Sequence, residues 1–136
     1  MDIAYTATGA LKPRTLILGV KSGAAAKAYP WEEVVRRNPI VDVVGDTPIL
    51  LLLHSDGRSV RCFDRRVEGR SLELFLEPDS APPVLVDAET ASRWDFTGTA
   101  TSGPLAGRRL AQVQFLKDYW FDWVLYNPAT SIFAAP

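Results

Sequence analysis

The chain carries one histidine, one cysteine and a scatter of carboxylates, and its possible chemistry depends on which of these could meet. His54 follows the apolar run Ile49 to Leu53 and precedes the turn signal Asp56-Gly57, so it ends a strand, where a ring nitrogen finds backbone partners. As a metal ligand it would need company. A structural zinc site takes about four ligands, usually His or Cys, and Cys62 is the only soft partner on offer. A Cys62–His54 nucleophilic dyad would instead need an exposed, electropositive thiol. Alternation of Val60 and Cys62 against Arg61 and Phe63 turns that thiol inward. The expectation is therefore no metal, no cofactor and no catalytic residue.

Asp42, Asp64, Asp87, Glu89 and Asp95 fall at strand ends or turns. Two of them standing about 5 to 10 Å apart in a pocket could act as general acid and base, but nothing in their spacing makes them converge. Asp87 with Thr90 reads as a turn tied by side-chain bonds to the backbone. Asp64 beside Arg65 and Arg66 reads as a surface pair, the alternative being an anion site centred on Arg65. Arg58, Arg61, Arg65, Arg66 and Arg70 gather guanidinium forks of the kind that grip phosphate or carboxylate. Asp56, Asp64 and Glu68 interleave with them, as on a solvated hairpin face. Gly19-Val20-Lys21-Ser22-Gly23 lacks the G-x-x-x-x-G-K spacing of a phosphate loop, and no helix follows at once. Phe115, Tyr119, Trp120, Phe121, Trp123 and Tyr126 are packed into one short stretch. At helical spacing such rings plug an open sheet; any left exposed would form a stacking platform, with Trp31 and Trp94 adjoining.

The elements that must position these residues form one domain's worth of chain: 136 residues with 47% apolar content. Fifteen basic against sixteen acidic side chains leave a charge of -1, no footprint for nucleic acid or an acidic membrane surface. The start Met1-Asp2-Ile3-Ala4 is not a signal peptide, and the run Ile49 to Leu53 is far too short to span a bilayer. The chain as given reads as soluble, without membrane insertion. A single cysteine excludes an internal disulfide and leaves the compartment open.

Thr15 to Val20 and Ala24 to Tyr29 read as strands, and Pro30 opens a helix carrying Trp31, Val34 and Val35 on one face, ending near Asn38-Pro39. Ile40 to Val44, Pro48 to His54, Ser59 to Asp64 and Leu72 to Leu76 continue as a meander, with Pro48 to His54 at its centre. Pro78 to Pro83 is a loop, Val84 to Val86 and Arg93 to Phe96 a hairpin, and Arg109 to Val113 an edge strand. A second helix, capped by Asp118 and lined by Leu116, Trp120, Trp123 and Val124, stops at Asn127-Pro128. The fold class is α+β: a mostly antiparallel β meander, a partly open barrel-like sheet, with two short helices. Residues 1–14 form a lead-in and 15–133 the domain.

Several landmarks then coincide: Ala28-Tyr29-Pro30, Asp42-Val43-Val44-Gly45, Phe63-Asp64-Arg65, Asp87 with Thr90, Ser92 and Trp94, Gly98, and Gly103-Pro104-Leu105-Ala106-Gly107. In this order they resemble the prokaryotic domain of unknown function 3179, from about Leu16 to Phe133, with Tyr119-Trp120-Phe121 to Pro128 similar to its aromatic segment. Many members carry a CPLCG-like segment just ahead of Phe-Asp-Arg. Here that stretch is His54-Ser55-Asp56-Gly57-Arg58, so chemistry of the cysteine pair does not carry over, and Val41 replaces an Asn common before Asp42. The resemblance implies no defined activity; members often look exported or membrane-anchored, which suggests an extracytoplasmic module trimmed of its signal or anchor.

With no nucleophile–base pair, metal cluster or nucleotide loop, the reading is a non-catalytic module for an unknown small molecule or protein partner. Its concave surface is expected around Asp64, Arg65, Asp87 and Trp94. The alternatives are a small carboxylate-dependent hydrolase or lyase at those residues, and a structural unit of a larger exported protein.

Overall fold

Strand-forming runs that are apolar on both faces need cover on both faces, and this requirement organises the chain. The computed structural model describes residues 11–134; the expected lead-in, residues 1–14, lies largely outside them. The chain divides into two compact units, residues 11–33, 44–46 and 114–134 of the described chain in the first, Val34–Val43 and Thr47–Val113 in the second.

In the first unit, β1 (Leu16–Ser22) turns at Gly23 into β2 (Ala25–Pro30). Ile17, Leu18 and Val20 are fully buried, while Leu16 remains partly exposed at the strand's start. The sheet runs β12-β1-β2-β13, where β12 (Phe115–Tyr119) is antiparallel to β1 and β13 (Ser131–Ile132) is parallel to β2. A seven-residue helix, α2 (Trp120–Tyr126), follows β12 directly. Its Trp120 and Trp123 are buried with Ile17 and Ala28, and Val124 and Ile132 pack alongside. Gly19 is demanded by this packing: a methyl group there would overlap the Trp123 ring.

This corrects the expected second helix at its start. Leu116 and Asp118 belong to a strand; Tyr119 holds the cap position without a side-chain cap bond, and Asp118 Oδ1 accepts the Tyr119 N–H at 2.7 Å. The cause is tertiary: β1 pairs along its length with Phe115–Tyr119, and a full ladder outweighs a weak helical period. The helix does end as expected, the Asn127 N–H returning to the Trp123 carbonyl at 2.9 Å.

Helix α1 (Trp31–Arg36) starts at the expected place, but six residues make fewer than two turns, and only Val34 is buried while Val35 is exposed. A three-stranded sheet follows, β3 (Ile40–Val44), β4 (Thr47–Leu53) and β5 (Val60–Asp64), with β4 in the middle and every residue from Pro48 to Leu53 buried. Next come a ribbon, β6 (Arg66–Val67) with β7 (Arg70–Ser71), and a second four-stranded sheet ordered β11-β10-β9-β8. Its strands are β8 (Leu74–Leu76), β9 (Leu85–Asp87), β10 (Arg93–Trp94) and β11 (Ala100–Ser102). Leu50, Leu52, Phe63, Leu72, Leu85 and Trp94 are the large side chains of this unit's core.

The stretch expected as an edge strand, Arg109 to Val113, makes only isolated bridges, Thr99 with Arg109 and Phe63 with Gln112, while the unexpected β11 takes the edge of the β8–β11 sheet. The fold is thus α+β with mostly antiparallel strands and two short helices. The strands are shared among separate sheets, and among the described residues none closes into a barrel. No described helix is long and apolar enough to cross a membrane.

Candidate functional site

Strand β9 ends at Asp87, and the turn that follows closes on its backbone: Ala91 N–H donates to the Asp87 carbonyl at 2.9 Å and Asp87 N–H to that of Ser92 at 3.1 Å. The buried carboxylate then collects donors. Oδ1 accepts the Thr90 N–H at 2.6 Å and the Thr90 hydroxyl at 2.8 Å, and Oδ2 accepts the Trp94 indole N–H at 2.8 Å. The Thr90 and Ser92 hydroxyls lie 2.7 Å apart, and Ser92 Oγ accepts the Leu105 N–H at 2.9 Å. Gly103 allows this last contact, because a side chain there, at φ 89°, would collide with the Ser92 backbone. Burial pushes the Asp87 carboxyl up, but the bonds from Trp94 and Thr90 outweigh it and hold the group below its ordinary range.

Arg65 is the second buried polar residue of interest, at 6% exposure. Its guanidinium donates to three carbonyls: Nε to Ile49 at 3.0 Å, Nη1 to Leu72 at 3.0 Å and Nη2 to Asp42 at 3.1 Å. Those carbonyls belong to β4, the segment ahead of β8, and β3, so one side chain staples three parts of the chain. No carboxylate among the described residues forms an ion pair with it. Asp64 pairs instead with Arg66, accepting from its N–H at 2.9 Å, Nε at 3.0 Å and Nη2 at 2.6 Å. Those Arg66 bonds hold the Asp64 carboxyl down despite partial burial.

Of the four residues expected to gather, Asp87 and Trp94 are in direct contact, while Asp64 and Arg65 each engage other groups. The arginine cluster divides likewise. Arg61 lies over the Phe96 ring at 4.8 Å, Arg65 is buried, and Arg66 is paired. His54 accepts the Asp56 N–H on Nδ1 at 3.1 Å and stands edge-on to Phe96 at 4.7 Å. Cys62 is buried, and burial, with the Asp64 charge adding to it, pushes its thiol up to about 12. In folded protein at neutral pH this thiol should resist iodoacetamide and react fully only once denaturant opens the chain. Mass spectrometry of the labelled protein checks this; stoichiometric labelling in buffer would contradict the burial.

A concave surface does occur elsewhere, in the first unit. Gly19 and Lys21 of β1, Gln114 with Phe115 and Leu116 at β12, and Trp123, Tyr126 and Asn127 at the end of α2 line a groove of about 480 Å³. Gly19 pairs with Leu116, so both face the same side of the sheet, and Lys21, two residues on, shares it. Trp123 covers Gly19, while Lys21 and Leu116 on the same face stay exposed. The aromatic density of the segment was legible in the sequence. Its division into two buried tryptophans and exposed Tyr126 was not, because the helical period of Leu116, Trp120, Trp123 and Val124 hides the strand β12.

No curated protein and no solved structure matches the chain. A family model does, over residues 4–130, under the description "Protein of unknown function (DUF3179)". That span takes in Arg65, the Asp87–Thr90–Ser92–Trp94 turn, both glycine contacts and the groove, and on it the chain belongs to the DUF3179 family of proteins of unknown function.

Proposed function

We propose that this domain is a non-catalytic binding module whose ligand enters the groove between β12 and α2, while Asp64, Arg65, Asp87 and Trp94 serve as its framework. One contrast supports the reading. The polar groups capable of chemistry are spent on one another and on backbone, whereas two apolar side chains that line the groove face solvent: Leu116 is 53% exposed and Tyr126 75%. A cleft of a few hundred Å³ with apolar walls and few polar groups is the usual form of a small-molecule site. Large exposed apolar side chains in one region are also what a partner surface presents.

A carboxylate-dependent enzyme draws support from one pair only: a hydrogen bond shared with Asp118 pushes Asp122 up from its ordinary range. Asp122 lies in the first turn of the seven-residue helix and does not line the groove.

The binding reading is tested by ligand-observed NMR against a library of small ring compounds. Leu116→Ser combined with Tyr126→Ser removes two walls that are more than half exposed, so the variant should fold. Hits should weaken by about tenfold or more in the variant. Undiminished affinity would move the site elsewhere, and the absence of any hit would overturn the binding reading.

A further inference from the structure

The groove's polar groups are unequal in number and charge, and this bears on what it would hold. Lys21 is its only charged lining residue, and it forms no ion pair among the described residues. Gln114 and Asn127 add carboxamides; Asn127 donates Nδ2 to the Trp123 carbonyl at 3.2 Å, which leaves its Oδ1 directed away from that bond. The remaining lining is the Trp123 ring as floor, with Leu116 and Tyr126 as walls; Phe115 pairs with Val20, so its side chain lies on the opposite face of the sheet from Leu116. Trp123 is fixed on both sides: its indole N–H donates to Thr130 Oγ1 at 2.9 Å, and its six-membered ring lies against Gly19. A ligand therefore meets a rigid aromatic floor, and one ammonium stands at the rim where the helix ends.

We propose that the groove selects a small aromatic carboxylate, its ring between Leu116, Trp123 and Tyr126 and its carboxylate toward Lys21. The inference rests on the binding reading above and adds to it the sign of the charge and the planar body. Lys21 is on the same strand face as Gly19, two residues from the glycine on which Trp123 rests, so ring and charge sites are neighbours on one face of β1. A cation at an exposed rim adds modestly to affinity and strongly favours one sign of ligand charge.

Phenylacetate is the probe, with phenylacetamide as its neutral counterpart and acetate as the head group alone, each titrated into the full chain while the indole N–H NMR signals of the four tryptophans are followed. Phenylacetate should move the Trp123 signal saturably and leave that of Trp94 in place. Phenylacetamide should bind about three- to tenfold more weakly, and acetate should not saturate. In Lys21→Gln, which replaces an exposed side chain and should melt like the wild type, acid and amide should become equal. Equal binding of acid and amide to the wild type would overturn the charge selection while leaving the binding reading intact. Acetate as strong as phenylacetate would overturn the aromatic requirement, and no movement of Trp123 with any of the three probes would overturn the aromatic-carboxylate selection, the binding reading standing or falling on the library screen.

Discussion

Arg65→Met should lower the free energy of unfolding by about 3 to 5 kcal/mol, measured by urea denaturation, with an unchanged denaturant slope. Its guanidinium satisfies the Ile49, Leu72 and Asp42 carbonyls at 3.0 to 3.1 Å from a position that is 6% exposed. Leaving a buried acceptor unsatisfied costs about 1 to 3 kcal/mol each. An opposing effect reduces the sum: burying a cation without a countercharge is itself costly, and methionine removes that cost. Three carbonyls from three segments should outweigh it. Arg65→Lys separates the two contributions, because an ammonium keeps the charge but cannot present the planar fork that reaches all three oxygens. It should recover less than half of the loss. A loss below about 1 kcal/mol in Arg65→Met would show that water replaces the guanidinium freely, and the staple would then be incidental.

Asp87→Asn should cost about 2 to 3 kcal/mol at neutral pH, and the cost should shrink in acid. A carboxamide retains one acceptor oxygen but turns an NH2 toward donors, the Thr90 N–H and hydroxyl on one side or the Trp94 indole on the other. The pH dependence follows from the direction of the shift. Asp87 lies below its unfolded value of about 3.9, so its stabilisation is fully present above that value and is lost as pH falls through the lower folded value. The wild type should therefore lose stability below about pH 4 more steeply than Asp87→Asn does. Asp64 and Asp95 are depressed in the same direction, so the variant keeps a residual acid dependence. Urea midpoints of both proteins at neutral pH and near pH 3 check this; parallel acid limbs would mean that the Asp87 network carries no net stability.

How far the sequence foretold this arrangement differs from residue to residue. The Asp87–Thr90 turn was legible because its hydrogen bonds join neighbours three positions apart, and local side-chain chemistry specifies such turns. So was the burial of Cys62, through strand alternation. The role of Arg65 was hidden: its partners are 16 and 23 positions upstream and 7 downstream, and nothing local marks an arginine that will meet carbonyls in place of an anion. Leu116 to Tyr119 shows the converse failure. Apolar residues at Leu116, Trp120, Trp123 and Val124 satisfy a helical period, yet β1 recruits the first part of that segment as its edge partner. The groove is hidden in the sequence for that reason, since its walls come from a strand and a helix that share one apolar period. Gly19 was legible only as part of a rejected phosphate loop; its actual constraint, the Trp123 ring, lies more than a hundred residues away.

The division between a polar framework and a separate apolar groove is tested most directly by calorimetric titration of a ring compound that binds the wild-type chain into Asp87→Asn, held well below the variant's melting temperature. The account predicts an affinity within about twofold of wild type, because the groove and the Asp87 turn share no residue. An affinity reduced about tenfold or more in the folded variant would place Asp87 in the binding site and contradict the division.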